Sequence, residues 1–157
     1  MIKIAGLFIV LFFSSLAGLA FAEGEKQKRA VCSSLAELFL YISNEIQRHK
    51  PVNRIICEFY SKDKKGKIKA KDKNELCKTL KDFAFAGKAG EIVNKAVDFL
   101  ENLGRSTNAN TESESCRAFY RELSAMCGEY MGESVKYSTL YSKLGIMCGI
   151  ALCILLI

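Results

Sequence analysis

Two uncharged apolar runs bracket this chain, and they limit what it can fold into more than anything between them. Ile4 to Ala22 is 19 residues without a charged side chain, and Leu144 to Ile157 is another 14. A helix over the first run is about 28 Å long, close to the roughly 30 Å hydrocarbon thickness of a bilayer. The second run gives about 21 Å, and carrying the helix back to Leu140 brings it to about 27 Å. Tyr137, Tyr141 and Lys143 then fall where interfacial rings and a snorkelling ammonium belong. The expected organisation is an N-terminal transmembrane or signal-anchor segment at 1–22, a helical domain at 23–139 and a C-terminal transmembrane helix at 140–157. The middle part suffices for one compact core and leaves no room for a second domain of ordinary size.

Lys3 ahead of the first run, and Ala20-Phe21-Ala22 just before Glu23, also give it the form of a signal peptide. The run exceeds a typical signal h-region and has a single Lys before it, so retention as an anchor is expected. An exported helical protein with a cleaved signal and a C-terminal anchor is the competing reading. Lys26, Lys28, Arg29, Lys136 and Lys143 flank the spans on the domain side against Lys3 on the other, which places the domain in the cytosol by the positive-inside rule. The cysteines agree. Their number is odd, at seven, and no spacing matches a zinc knuckle or a Cys-x-x-Cys. They are expected to act as small hydrophobes in a reducing compartment, with a partly disulfide-bonded exported domain as the alternative.

Between the runs the apolar residues recur at three and four. Leu35, Leu38, Phe39, Ile42 and Ile46 define a helix over Ala30 to Arg48, and Pro51 opens a second with Val52, Ile55, Ile56 and Phe59. Leu76, Leu80 and Phe83 mark a third. Ile92, Ala96, Phe99, Leu100 and Leu103 mark a fourth, closed by Gly104 in a left-handed cap. Thr111 with Glu114 has the form of a capping box at the start of a long fifth helix, nearly continuous with the second span and eased at Gly128 or Gly132. The fold class is all-α, a helical bundle with a core of Leu35, Phe39, Ile42, Ile46, Phe99, Leu100, Phe119 and Leu123.

Catalysis has little to work with. The chain holds a single His and no Trp, and it lacks a Gly-rich phosphate loop, a His pair at metal spacing and a Gly-x-Ser-x-Gly elbow. No enzyme activity, cofactor or metal is therefore expected. Two features suit binding instead. Gly145 and Gly149, with Leu144 beside them, give a Gly-x-x-x-Gly face that lets another helix approach closely, and a second copy of the chain is one candidate for it. Lys62, Lys64, Lys65, Lys67, Lys69 and Lys71 form a basic stretch, read as a solvated, mobile connection. Without interleaved aromatics or Arg it suits anionic lipid better than nucleic acid, and no nucleic-acid partner is expected.

The order of elements, with Glu45-Ile46 and a nearby Pro, the Phe99-Leu-Glu-Asn-Leu-Gly104 helix end and the Leu144-Gly-x-x-x-Gly149 run, resembles the stage III sporulation protein AB family of endospore-forming bacteria. Pro51 stands one residue closer to Glu45-Ile46 than in the family's usual segment, whose Tyr and Thr are missing here, so the resemblance is to a divergent member. It implies a helical cytosolic domain similar to the platform protein of type II secretion systems, working in the mother-cell membrane around the forespore. The implied partners are the membrane and other stage III sporulation proteins, among them the stage III sporulation protein AA ATPase.

Overall fold

A computed structural model describes residues 2–62, 68–104 and 108–155. Five helices follow in order: α1 (Ile2–Ile46), α2 (Val52–Lys62), α3 (Lys73–Asp82), α4 (Lys88–Asn102) and α5 (Ala109–Leu155). Among the described residues there is no strand. The chain divides into two compact units, one of residues 1–28 with 131–157, the other of residues 29–130, and α1 and α5 each contribute to both.

The first helix differs from the sequence expectation, since α1 runs unbroken for 45 residues where a separate helix from Ala30 was expected. No proline interrupts it, and the polar stretch after Ala22 is bridged by Lys26–Glu23 and Lys28–Glu25 ion pairs one turn apart. The helix stops because Lys50 precedes Pro51, which disfavours further helical backbone. His49 takes φ 57°, and its amide and that of Arg48 bond back to the Ile46 and Glu45 carbonyls.

Each later boundary has a local cause. The Pro51 carbonyl accepts from Arg54 and Ile55 at the start of α2. Asp72 caps α3 by accepting from the Glu75 amide at 2.8 Å, while the Glu75 carboxylate accepts from the Lys71 amide at 2.7 Å. At the start of α4 the space beside Gly90 is closed, because an added Cβ would run into the Phe85 carbonyl oxygen. Its other end is the expected left-handed glycine, Gly104 at φ 85°. The capping-box expectation for α5 is corrected: the helix begins at Ala109, the Asn108 side chain accepts from the Asn110 amide, and Glu112 accepts from the Gly104 amide. Thr111 and Glu114 are exposed inside the helix, and α5 passes Gly128 and Gly132 without a break.

In the unit of residues 29–130 the core combines Leu35, Leu38, Phe39 and Ile42 of α1, Ile55 and Ile56 of α2, Leu76 and Leu80 of α3, Ile92, Ala96 and Leu100 of α4, and Leu123 of α5. Phe99 and Phe119 are only partly buried, not core residues as the apolar stripe suggested. They stack face to face at 4.1 Å, and the fully buried Phe39 meets both rings edge-on, at 5.5 Å and 4.8 Å. Ser113 adds a buried polar tie, donating to the Ser43 carbonyl of α1 at 2.7 Å. At the end of the basic stretch, beside Lys69 and Lys71, Ile68 and Ala70 are buried in this core.

Where α1 gives way to α2, five charges share one network. The Lys50 ammonium lies 2.7 Å from Glu45 Oε2 and 2.9 Å from Glu58 Oε2; Arg48 pairs with Glu45 at 2.7 Å and Arg54 with Glu58 at 3.0 Å. The bond from Lys50, then the Arg48 charge, holds the Glu45 carboxyl below the usual carboxylate range, and bonds from Lys50 and Arg54 do the same for Glu58. Both carboxylates raise Lys50 in turn.

Two outcomes follow from these contacts. Phe39→Ala, which empties a fully buried site, should cost about 3 to 5 kcal/mol, whereas Phe119→Ala at the rim should cost clearly less, as read from thermal unfolding by circular dichroism. Because Glu45 and Glu58 are depressed in the folded chain, their contribution is complete above the ordinary carboxylate value of 4.5 and is lost as pH falls through the lower folded values. The unfolding temperature should drop over that acid window in the native chain, and drop less in a Lys50→Met variant that is already weaker at neutral pH.

Candidate interaction site in the apolar helix pair

In the unit of residues 1–28 and 131–157 the side chains facing the opposite helix are small. A Cβ on Gly145 would stand 2.9 Å from the Cα of Gly18 and 2.9 Å from the Ser14 carbonyl oxygen. On Gly18 it would meet the Tyr141 carbonyl oxygen at 2.8 Å and the Gly145 Cα at 3.0 Å. The nearest atoms are backbone, so they cannot swing aside as a side chain would. Gly149 continues the contact one turn on, where a Cβ would lie 3.2 Å from the Ser14 Cβ and 3.3 Å from the Leu11 Cα. Ser14 adds a hydrogen bond from its hydroxyl to the Gly145 carbonyl at 2.5 Å. Small residues that let backbones touch, with a hydroxyl crossing between helices, are the packing that works where no hydrophobic driving force exists.

Gly145 and Gly149 thus lie on Leu11, Ser14 and Gly18 of the same chain. Leu144, beside them, is 44% exposed. Ser14 and Gly18 were missed in the sequence, although Ser14-x-x-x-Gly18 repeats the spacing of the glycine pair. Beyond the glycines Phe21 and Tyr141 sit 5.9 Å apart, Ala22 is buried, and Glu25 accepts from both Ser134 at 2.9 Å and Lys28 at 2.6 Å. Ser134 is fully buried, so the pairing keeps its hydroxyl satisfied.

The outer surfaces of these helices are apolar. Phe8, Ile9, Phe12, Phe13, Leu19, Ile146, Met147, Ile150 and Ile154 are all exposed. The most apolar stretch of α1 is only 11% buried and that of α5 only 6%, and both helices are long and apolar enough to cross a membrane. So much exposed apolar area is costly in water and suits hydrocarbon.

Among the described residues no His, Cys, Asp and Glu side chains cluster in a way that could hold a metal ion. A cleft of about 470 Å³ is lined by His49, Lys50, Asn53, Lys73 and Glu112, but these groups serve the fold. Lys73 donates to the Leu103 carbonyl, Asn53 accepts from the Lys73 amide and Glu112 accepts from the Gly104 amide. Of the basic stretch, Lys69 and Lys71 are exposed and Lys62 closes α2, while Lys64, Lys65 and Lys67 lie outside the described residues.

Residues 73–157, just over half of the chain, match the model of the family described as stage III sporulation protein AB. The matched stretch takes in α3, α4 and α5, and with them the Phe99 to Gly104 helix end and the Gly145 and Gly149 face; Glu45-Ile46 and Pro51 precede it. No curated protein and no solved structure matches the chain. With its all-helical fold and its two long apolar helices, this chain belongs to the stage III sporulation protein AB family, a family of structural proteins of sporulation.

Proposed function

We propose that this protein is a membrane-anchored adaptor of the sporulation complex between mother cell and forespore, working by holding partners together without chemistry of its own. The observation that carries this reading is the backbone contact of Gly18 with Gly145, which makes the two apolar helices a tight pair. Such a pair fixes where two anchors enter the bilayer, and it leaves the helical unit of residues 29–130 to meet partners. Other stage III sporulation proteins, including the stage III sporulation protein AA ATPase, are the proposed partners, in an assembly resembling a type II secretion platform.

The same contact weighs against a cleaved signal. A cut after Ala22 would remove Leu11, Ser14 and Gly18 and leave the Gly145 and Gly149 face bare. The proposed location is the mother-cell membrane around the forespore, with the helical unit in the cytosol, on the strength of Lys26, Lys28, Arg29, Lys136 and Lys143. Lys69 and Lys71 add attraction to anionic lipid, about 1 kcal/mol each when held near the surface.

Gly18→Leu and Gly145→Leu should each separate the pair while keeping the segment apolar enough to insert. Sporulation should fail although the protein is made and recovered in the membrane fraction; full sporulation in both variants would remove the helix pair from the mechanism. Orientation is best read at Cys57, which is exposed, because Cys32 is fully buried. A membrane-impermeant maleimide should leave Cys57 unmodified in intact cells and label it after permeabilisation. Labelling in intact cells would place the helical unit outside.

A further inference from the structure

Cys32 of α1 and Cys127 of α5 lie 95 positions apart in the chain and meet in the core of the helical unit. The Cys127 thiol donates to the Cys32 carbonyl at 3.4 Å, which brings the Cys127 sulfur against the Cys32 residue itself. They are 0% and 3% exposed. Cys116, just as deeply buried on α5, is pushed up to about 12 by burial and then by the Glu112 charge. The adaptor reading makes no use of this pair, and the contact exists whichever side of the membrane the unit occupies.

We propose that Cys32 and Cys127 are a disulfide site, oxidised by thiol–disulfide exchange with a small-molecule disulfide of the glutathione type when the core opens, and that the bridge locks α1 to α5. In the exchange the Cys127 thiolate attacks one sulfur of the small disulfide, forming a mixed disulfide and releasing the first small thiol. The Cys32 thiolate then attacks the Cys127 sulfur, forming the intramolecular bond and releasing the second. The two protein thiols lose two electrons and two protons, and the small disulfide takes them up as two thiols.

Burial sets the conditions of the exchange. In the closed core neither sulfur is reachable, so the dithiol persists in a reducing compartment and the bridge, once made, resists reduction. A link across a segment this long removes much of the freedom of the unfolded chain, so it should raise stability more than a short-range link would.

The test uses the full chain in detergent micelles, opened with mild denaturant and refolded in a buffer of reduced and oxidised glutathione, then alkylated and mapped by peptide mass under non-reducing conditions. One bridge is expected, between the peptides carrying Cys32 and Cys127, with Cys116 recovered as a thiol. It should raise the unfolding temperature by at least about 5 °C, and reductant, or a Cys127→Ser change, should abolish the rise. Recovery of Cys32 and Cys127 as thiols, or in bridges to other cysteines, would overturn the proposal. So would a Cys32–Cys127 bridge that fails to raise the unfolding temperature.

Discussion

Everything in the apolar helix pair depends on two missing side chains. With hydrogen alone at positions 18 and 145, the backbones of α1 and α5 touch, Ser14 reaches the Gly145 carbonyl, and Gly149 closes on Ser14 and Leu11. In hydrocarbon the water-driven attraction that packs soluble helices is absent, and close contact with an interhelical hydrogen bond has to replace it. A methyl group at either glycine would meet backbone atoms at 3.0 Å or less, so the contact cannot relax by a rotamer change.

The helical unit obeys the opposite rule and is held by burial. Phe39 and the aliphatic residues around it fill the interior, Phe99 and Phe119 cover its edge, and ion pairs such as Lys88–Glu129 and Lys95–Glu122 link α4 to α5 on the surface. Exposed pairs of this kind contribute little each, so apolar packing remains the main source of stability. The network around Lys50 differs, because Glu45 is almost enclosed there and a carboxylate out of water needs its partners.

Much of this was legible in the sequence because three- and four-residue periodicity reports a helix face directly. The presence of α2, α3 and α4 and most of the core follow from it, while Pro51 marks the start of α2 and Gly104 the end of α4. Where the reading failed, competing local physics explains the failure. Leu144 is 44% exposed while its neighbour Gly145 closes on Gly18, a difference that spacing alone does not reveal. Thr111 and Glu114 matched a capping pattern that the earlier Asn108 pre-empted. Phe119 lies at the margin of its stripe and so at the rim of the core. Neither the contact of Cys32 with Cys127 nor that of Gly18 with Gly145 leaves a local signature, since each joins residues far apart in the chain.

Membership in the stage III sporulation protein AB family assigns the chain to sporulation, and the proposed adaptor role treats its first apolar helix, packed through Gly18 on Gly145, as a permanent half of a pair. N-terminal sequencing of the protein extracted from membranes tests that permanence most directly. A chain that retains Leu11, Ser14 and Gly18 is the expected result. A chain beginning at Glu23 would contradict it, because the Gly145 and Gly149 face would then have lost the helix it packs on.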